Sequence, residues 1–189
     1  AFAEIRLDEG YLHLNEVTDL FRSHPNLVAA CRPGGLADAQ RQRILATACQ
    51  AGAAYVDVEV DAGYADALVA LAASKSCKVI VSFHDDQKTP PLPTLISIRD
   101  RCFEQGADIA KIACRVHSLG DCARLIALLD CDRPVIPVGM GPVGKICRIV
   151  APLLGAPFMY ASRTDAEATA DGQIEAARLA EILKGFRDV

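Results

Sequence analysis

The chain lacks several things that would each have pointed somewhere. It contains no tryptophan, two methionines and only 5% aromatic residues, so any core must be built from aliphatic side chains. No long run of either charge sign occurs and the formal net charge is -4, which leaves a polyanion without an electrostatic handle and excludes nucleic acid as an expected partner. No uninterrupted apolar stretch approaches the roughly 20 residues of a membrane-spanning helix, and no secretory pattern opens the sequence; no membrane association is expected. There is no CxxC pair and no Cys/His cluster. The eight cysteines, Cys31, Cys49, Cys77, Cys102, Cys114, Cys122, Cys131 and Cys147, stand singly, mostly in apolar segments. They read as reduced core thiols behaving as small hydrophobes, which places the protein in the cytoplasm and implies no metal.

What is present is a repeating pattern. Hydrophobic residues make up 51% of the chain, and short Val/Ile/Ala-rich runs alternate with stretches of helical spacing, the signature of consecutive βα units. Seven strands are expected, at 3–8, 27–31, 54–60, 77–83, 108–114, 134–139 and 157–161. Between two of them Cys122, Leu125, Ile126 and Leu129 recur at i, i+3, i+4 and i+7, giving one apolar helical face, and Ile174, Ala177, Leu183 and Phe186 repeat the pattern near the end. Gly52, Gly106 and Gly155 stand where left-handed helix caps belong. Such a repeat fits either a closed (β/α)8 TIM barrel or an open doubly wound sheet. The barrel is preferred because no glycine-rich phosphate loop follows the first strand and because polar residues stand near the C-terminal end of nearly every strand. The fold class expected is therefore α/β, a single barrel domain over residues 1–189, with seven βα units visible and the first unit of the eight absent from this chain.

The polar residues on those strands carry the chemistry. In DIAKIAC the two-residue period puts Ile109, Lys111 and Ala113 on one face, so a lone lysine is embedded in apolar sequence. Pointing inward, it would be desolvated and held as a neutral amine able to attack a ketone; pointing to the rim, it would snorkel or pair with a carboxylate. The strand ending at Phe83 delivers His84 to the rim that hosts barrel active sites, and histidine is suited to both acid and base work there. His13, His24 and His117, in helix or loop sequence, read as structural. Lys88 is a rival amine, but its polar loop would keep it solvated. Asp57 and Glu59 share a strand face and need partners if buried; Glu59, nearer the rim, is placed to orient His84, while Asp57 suits an internal structural contact. Glu4, Arg6 and Asp8 alternate along the first strand and, with Arg32, form a polar cluster suited to hydroxyls. Arg148 and the loop ATADGQ (168–173) supply a guanidinium, a hydroxyl and an amide, the groups that clamp a carboxylate.

Taken in order, EIRLD, CRPGG, VDVE, FHDDQKTP, AKIA, GMGPVGKICR and TADGQ resemble the motifs of type I 3-dehydroquinate dehydratase across essentially the whole chain. The resemblance implies a β/α-barrel hydro-lyase of the shikimate pathway that needs no cofactor. It implies that Lys111 forms a Schiff base with the C3 ketone of 3-dehydroquinate, that His84 moves the protons, and that Glu59 orients His84. It assigns Glu4, Arg6 and Arg32 to the ring hydroxyls, Arg148 and Gln173 with Thr169 to the carboxylate, and Met140 to packing on the ring. The product would be 3-dehydroshikimate, and the assembly a homodimer.

Three departures from the family pattern stand out, the missing first unit being one of them. Asp86 stands where a bulkier side chain is usual, and TADGQ replaces SAPGQ, so that Asp171 takes the place of a proline. The second change is expected to loosen a lid-like loop and to affect turnover or affinity more than chemistry. Two other readings stand beside this one: another Schiff-base barrel of the class I aldolase kind, and a non-catalytic or fragmentary barrel module of a shikimate-pathway protein.

Overall fold

The computed structural model describes residues 2–10, 12–164, 166 and 168–187, and among them six strands alternate with seven α-helices. The chain divides into two compact units, Ala1–Ser82 with Arg101–Asp108, and Phe83–Asp100 with Ile109–Val189.

The first unit contains β1 (Ala3–Arg6), α1 (Leu14–Ser23), β2 (Leu27–Ala30), α2 (Asp38–Ala51), β3 (Tyr55–Glu59), α3 (Ala65–Ser74) and the start of β4 (Lys78–Asp85). Its strands pair in parallel in chain order, with Arg6 opposite Ala30, Ala30 opposite Asp57 and Glu59 opposite Ser82. All of β2 is buried, which is why LVAA carries no polar residue: a parallel strand covered on both faces has no side to give to water. Outside the strands, α1 packs on α2. It buries Val17 and Phe21, one turn apart, while α2 buries Ile44, Leu45, Ala48 and Cys49. The larger of these, Val17, Phe21, Ile44 and Leu45, each contribute about 1.5–3 kcal/mol when fully removed from water. Gly52 ends α2 in the left-handed conformation, with φ of 107°.

The second unit contains the last residues of β4, most of α4 (Leu92–Glu104), β5 (Ile109–Arg115), α5 (Leu119–Ile126), β6 (Val135–Met140), α6 (Lys145–Leu153) and α7 (Ala176–Arg187). Strands β5 and β6 pair in parallel, with Lys111 opposite Ile136 and Arg115 opposite Met140. Helix α5 starts on a reciprocal cap: Asp121 N–H donates to Ser118 Oγ at 3.2 Å, and Ser118 N–H donates to the Asp121 carboxylate at 3.0 Å. It then tightens into a 3-10 turn over Ala127–Leu129. That tightening rotates the sequence by one position, so Leu128 is buried where the helical spacing predicts Leu129. In α7 the inward residue is Leu179, Ile174 is buried just ahead of the helix, and Phe186 is 60% exposed, so the apolar face predicted there is shorter than its spacing suggests. No helix among the described residues is long and apolar enough to cross a membrane.

The seventh predicted strand, 157–161, joins no ladder among the described residues. Just past it, Ser162 makes a parallel bridge with Glu175. The Tyr160 carbonyl accepts from the Arg148 guanidinium at 3.2 Å, a side chain standing in for a neighbouring strand.

Asp57 and Glu59, on one face of β3, resolve into different environments. Asp57 is 4% exposed and accepts a 2.5 Å hydrogen bond from the hydroxyl of Ser82, itself fully buried. Asp57 is thus the internal structural acid of the pair. Replacing Ser82 with Ala is expected to cost about 1–3 kcal/mol, because it withdraws a donor from a buried carboxyl. Urea unfolding followed by circular dichroism should show a lower midpoint with an unchanged slope.

Candidate active site

In the first unit the predicted polar residues are held together by a residue of secondary rank in the sequence, Asp8. It lies just past β1, in the turn that follows. One of its carboxylate oxygens accepts from Arg6 Nε at 3.1 Å and from the Arg32 backbone N–H at 2.9 Å; the other lies 2.6 Å from Arg6 Nη2. Burial pushes the Asp8 carboxyl up, but the Arg6 hydrogen bond, the Arg32 N–H and the Arg6 charge together hold it below its ordinary value. Glu9 adds a second carboxylate 3.1 Å from Arg6. Arg32, positioned through its backbone, sends its side chain to Glu59, with Nη1 2.8 Å from Oε1. Both partners are largely enclosed, at 23% and 17% exposure. Glu4, two residues before Arg6 on β1, is half-buried on the same strand face. Arg6, Arg32 and Glu59 are therefore joined through Asp8 and through one another.

The second unit carries the amine. Lys111 is 7% exposed in the middle of β5, so its side chain is enclosed and does not reach the rim. Its Nζ lies over the ring of Tyr160, 4.3 Å from the centroid. Tyr160 was not singled out in the sequence, although the alternation of Phe158 and Tyr160 in PFMYA places both rings on one side; the two meet edge to face at 5.7 Å. The rival amine, Lys88, is exposed.

Arg148 is the largest fully buried side chain, at 1% exposure. Its Nε donates to Gly139 O and its Nη1 to Tyr160 O, both at 3.2 Å. Its Nη2 is buried and, among the described residues, has no hydrogen-bond partner. Burial pulls the guanidinium down to about 10. The GMGPVGKICR segment is shaped to deliver it. A Cβ on Gly139 would stand 2.6 Å from the Gly144 carbonyl oxygen, so only two glycines let the start of α6 press against the end of β6. That contact brings Arg148, on the first turn of α6, within reach of Gly139. Met140, at the end of β6, is 7% exposed.

His84 is half-buried near the C-terminal end of β4, and the loop after it is folded by its own sequence. Asp85 accepts from the N–H groups of Gln87 and Lys88, each at 3.0 Å, and the Thr89 hydroxyl donates to Arg115 O at 2.7 Å. His117 contacts Gln87 O at 2.8 Å through its ring nitrogen, a structural use of that histidine. Farther along the chain, Thr169 and Gln173 bond to each other twice: Thr169 N–H to Oε1 at 2.9 Å, and Nε2 to the Thr169 hydroxyl at 3.3 Å. A pocket of about 370 Å³ lies beside this loop, lined by Pro142, Lys145 and residues 168–173. Lys111, His84 and Arg148 are not among its walls, so it belongs to the loop and not to the amine. Among the described residues no cluster of His, Cys, Asp and Glu is suited to a metal ion.

These are a buried amine on an aromatic face, a buried guanidinium with a spare donor, and a histidine at a strand end. They make carbonyl chemistry on an anionic substrate feasible, without by themselves naming the substrate. Comparison with known proteins supplies the family. The family model described as Type I 3-dehydroquinase matches residues 11–187. The 3-dehydroquinate dehydratase of Desulfotalea psychrophila is 32% identical over 97% of this chain and 86% of that protein. That of Thermococcus onnurineus is 31% identical over 98% and 87%. Among solved structures, the type I 3-dehydroquinate dehydratase of Clostridium difficile superposes with a TM-score of 0.86 at 27% identity, covering 98% of this chain and 81% of that one. The β/α-barrel class read from the sequence is the class of these neighbours. With the motif order, the buried lysine and a match over nearly its whole length in agreement, the chain belongs to the type I 3-dehydroquinase family, a family of hydro-lyases.

Proposed function

We propose that this chain converts 3-dehydroquinate to 3-dehydroshikimate through a Schiff base on Lys111. The observation that carries the proposal is the setting of that lysine, 7% exposed on a central strand with its nitrogen against the Tyr160 ring. A solvated lysine is protonated and inert toward ketones, whereas an enclosed one can be held as the nucleophilic amine. The covalently modified comenic acid in the Clostridium difficile structure lends further support to covalent chemistry in this family.

In the proposed reaction the Lys111 nitrogen adds to the C3 carbonyl and water leaves, giving a cationic iminium. The iminium withdraws electrons from the C2–H bond. His84 removes that proton, the electron pair forms the C1–C2 double bond, and the C1 hydroxyl departs with a proton delivered by the His84 imidazolium. Hydrolysis of the iminium returns the lysine, so the net change is loss of one water. Tyr160 favours the cationic stages, because an aromatic face stabilises a desolvated cation by about 1–2 kcal/mol. Arg148, with its spare Nη2, receives the substrate carboxylate together with Gln173 and Thr169. Glu4, Arg6 and Arg32 take the ring hydroxyls, Met140 packs on the ring, and Glu59 orients His84. Residues 1–189 act, in this proposal, as one catalytic domain; the cytoplasmic location and the homodimer implied by the resemblance belong to it as well. All eight cysteines are thiols, which suits a reducing compartment.

Incubation with 3-dehydroquinate followed by borohydride reduction and peptide mapping should place a stable adduct on Lys111. An adduct on Lys88, or none, overturns the mechanism. His84→Ala should lower kcat by about 100- to 10,000-fold while still permitting the Lys111 adduct to be trapped; full activity would remove its role. Arg148→Met should weaken binding by roughly 10- to 100-fold, the loss of a hydrogen bond between charged groups. In thermal melts, a carboxylate-bearing substrate analogue should raise the Tm of the native protein but not of this variant.

A further inference from the structure

One of the departures from the family pattern, Asp171, meets Arg115, a side chain that the proposed chemistry leaves unused. It ends β5, four residues beyond Lys111. Its Nη1 lies 2.5 Å from the Asp171 carboxylate, and its Nε donates to the Asp86 backbone carbonyl at 3.3 Å. All three residues lie in the second unit.

The loop end bearing Asp171 is seated on backbone. Gly141 N–H donates to Asp171 O at 3.1 Å. Gly172, in the left-handed region at φ 82°, lies so close to the Gly141 carbonyl that a Cβ would collide with it. Gly141 is itself left-handed, at φ 89°, and bare: a Cβ there would meet Arg115 Nη1 at 3.1 Å. The two bare positions serve different ends: Gly141 lets the guanidinium cross on its way to Asp171, and Gly172 lets the loop backbone settle against Gly141. Thr169 and Gln173, which close the loop on each other, flank the pinned residue at two positions on either side.

We infer that Arg115 is a positioning residue that latches the 168–173 loop to the end of β5 and to the histidine loop, and so sets where Thr169 and Gln173 present their polar groups. The inference rests on the proposed function for its consequence in catalysis, though not for the latch itself. Replacement of the proline predicts a looser lid; the ion pair supplies by charge the restraint that a ring would supply by covalent geometry. The two restraints differ in one respect. A proline is indifferent to salt, whereas a pair exposed at 30% and 55% is screened by it.

The test is hydrogen exchange, read by mass spectrometry, on the native chain, Arg115→Met, Asp171→Asn, the double variant and the charge swap Arg115→Asp with Asp171→Arg. Each single variant should speed exchange across 168–173 by roughly threefold to fivefold, the worth of a partly exposed ion pair. Exchange in β5 and β6 serves as the internal control that the fold is intact. The double variant should exceed neither single, and the swap should recover part of the protection. In steady-state assays on 3-dehydroquinate, KM should rise by a similar roughly threefold to fivefold factor with kcat changed less than about twofold. Added salt should raise KM of the native enzyme more than that of Arg115→Met. Unchanged loop exchange in both single variants, or effects that simply add in the double variant, overturns the latch. No turnover and no Lys111 adduct in the native protein overturns the proposed function instead, and the exchange result then decides the latch alone.

Discussion

Two basic side chains, Lys111 and Arg148, lie buried inside one unit of this protein, and both meet Tyr160. An ammonium and a guanidinium each lose several kcal/mol of hydration on burial unless something replaces the water. Tyr160 offers its ring face to Lys111 and its carbonyl to Arg148. Arg148 also donates to the Gly139 carbonyl, and among the described residues its Nη2 has no hydrogen-bond partner. Among the described residues the segment holding Tyr160 lies outside the ladders, and its carbonyl accepts from a side chain instead of a neighbouring strand.

The same division of labour runs through the first unit. Asp57 and Glu59, two residues apart on β3, differ by what stands across from each. A buried serine hydroxyl fixes Asp57 as structure, and an arginine from the end of β2 draws Glu59 into a polar cluster. Asp8 organises that cluster by accepting from one arginine through its side chain and from the other through its backbone, so the two guanidinium groups are set by one carboxylate.

Strand periodicity made six of the strands and the three left-handed glycines legible in the sequence, but left open whether Lys111 turns inward or to the rim. The strands and the glycines depend on local alternation and on backbone conformation, both of which a sequence records directly. Tyr160 and Arg115 escaped because their importance arises from contacts dozens of residues away, and nothing in PFMYA or ACRV marks a ring or a guanidinium as facing a particular partner. The seventh strand failed for a related reason: a short apolar run reports that a segment is extended, but a ladder also needs a neighbour whose hydrogen bonds are available. Leu128 replaced Leu129 because a switch from 3.6 to 3.0 residues per turn leaves no trace in apolar spacing.

The contact between Gly139 and Gly144 bears on how such a chain can vary over time. Neither residue can contact substrate through a side chain, and neither titrates, yet a single methyl on either would force α6 away from β6 and carry Arg148 off its carbonyl. The mutational tolerance of the site is thus bounded by two silent positions as tightly as by its reactive ones. A drifting copy could lose its anion-binding geometry while every charged residue remained in place.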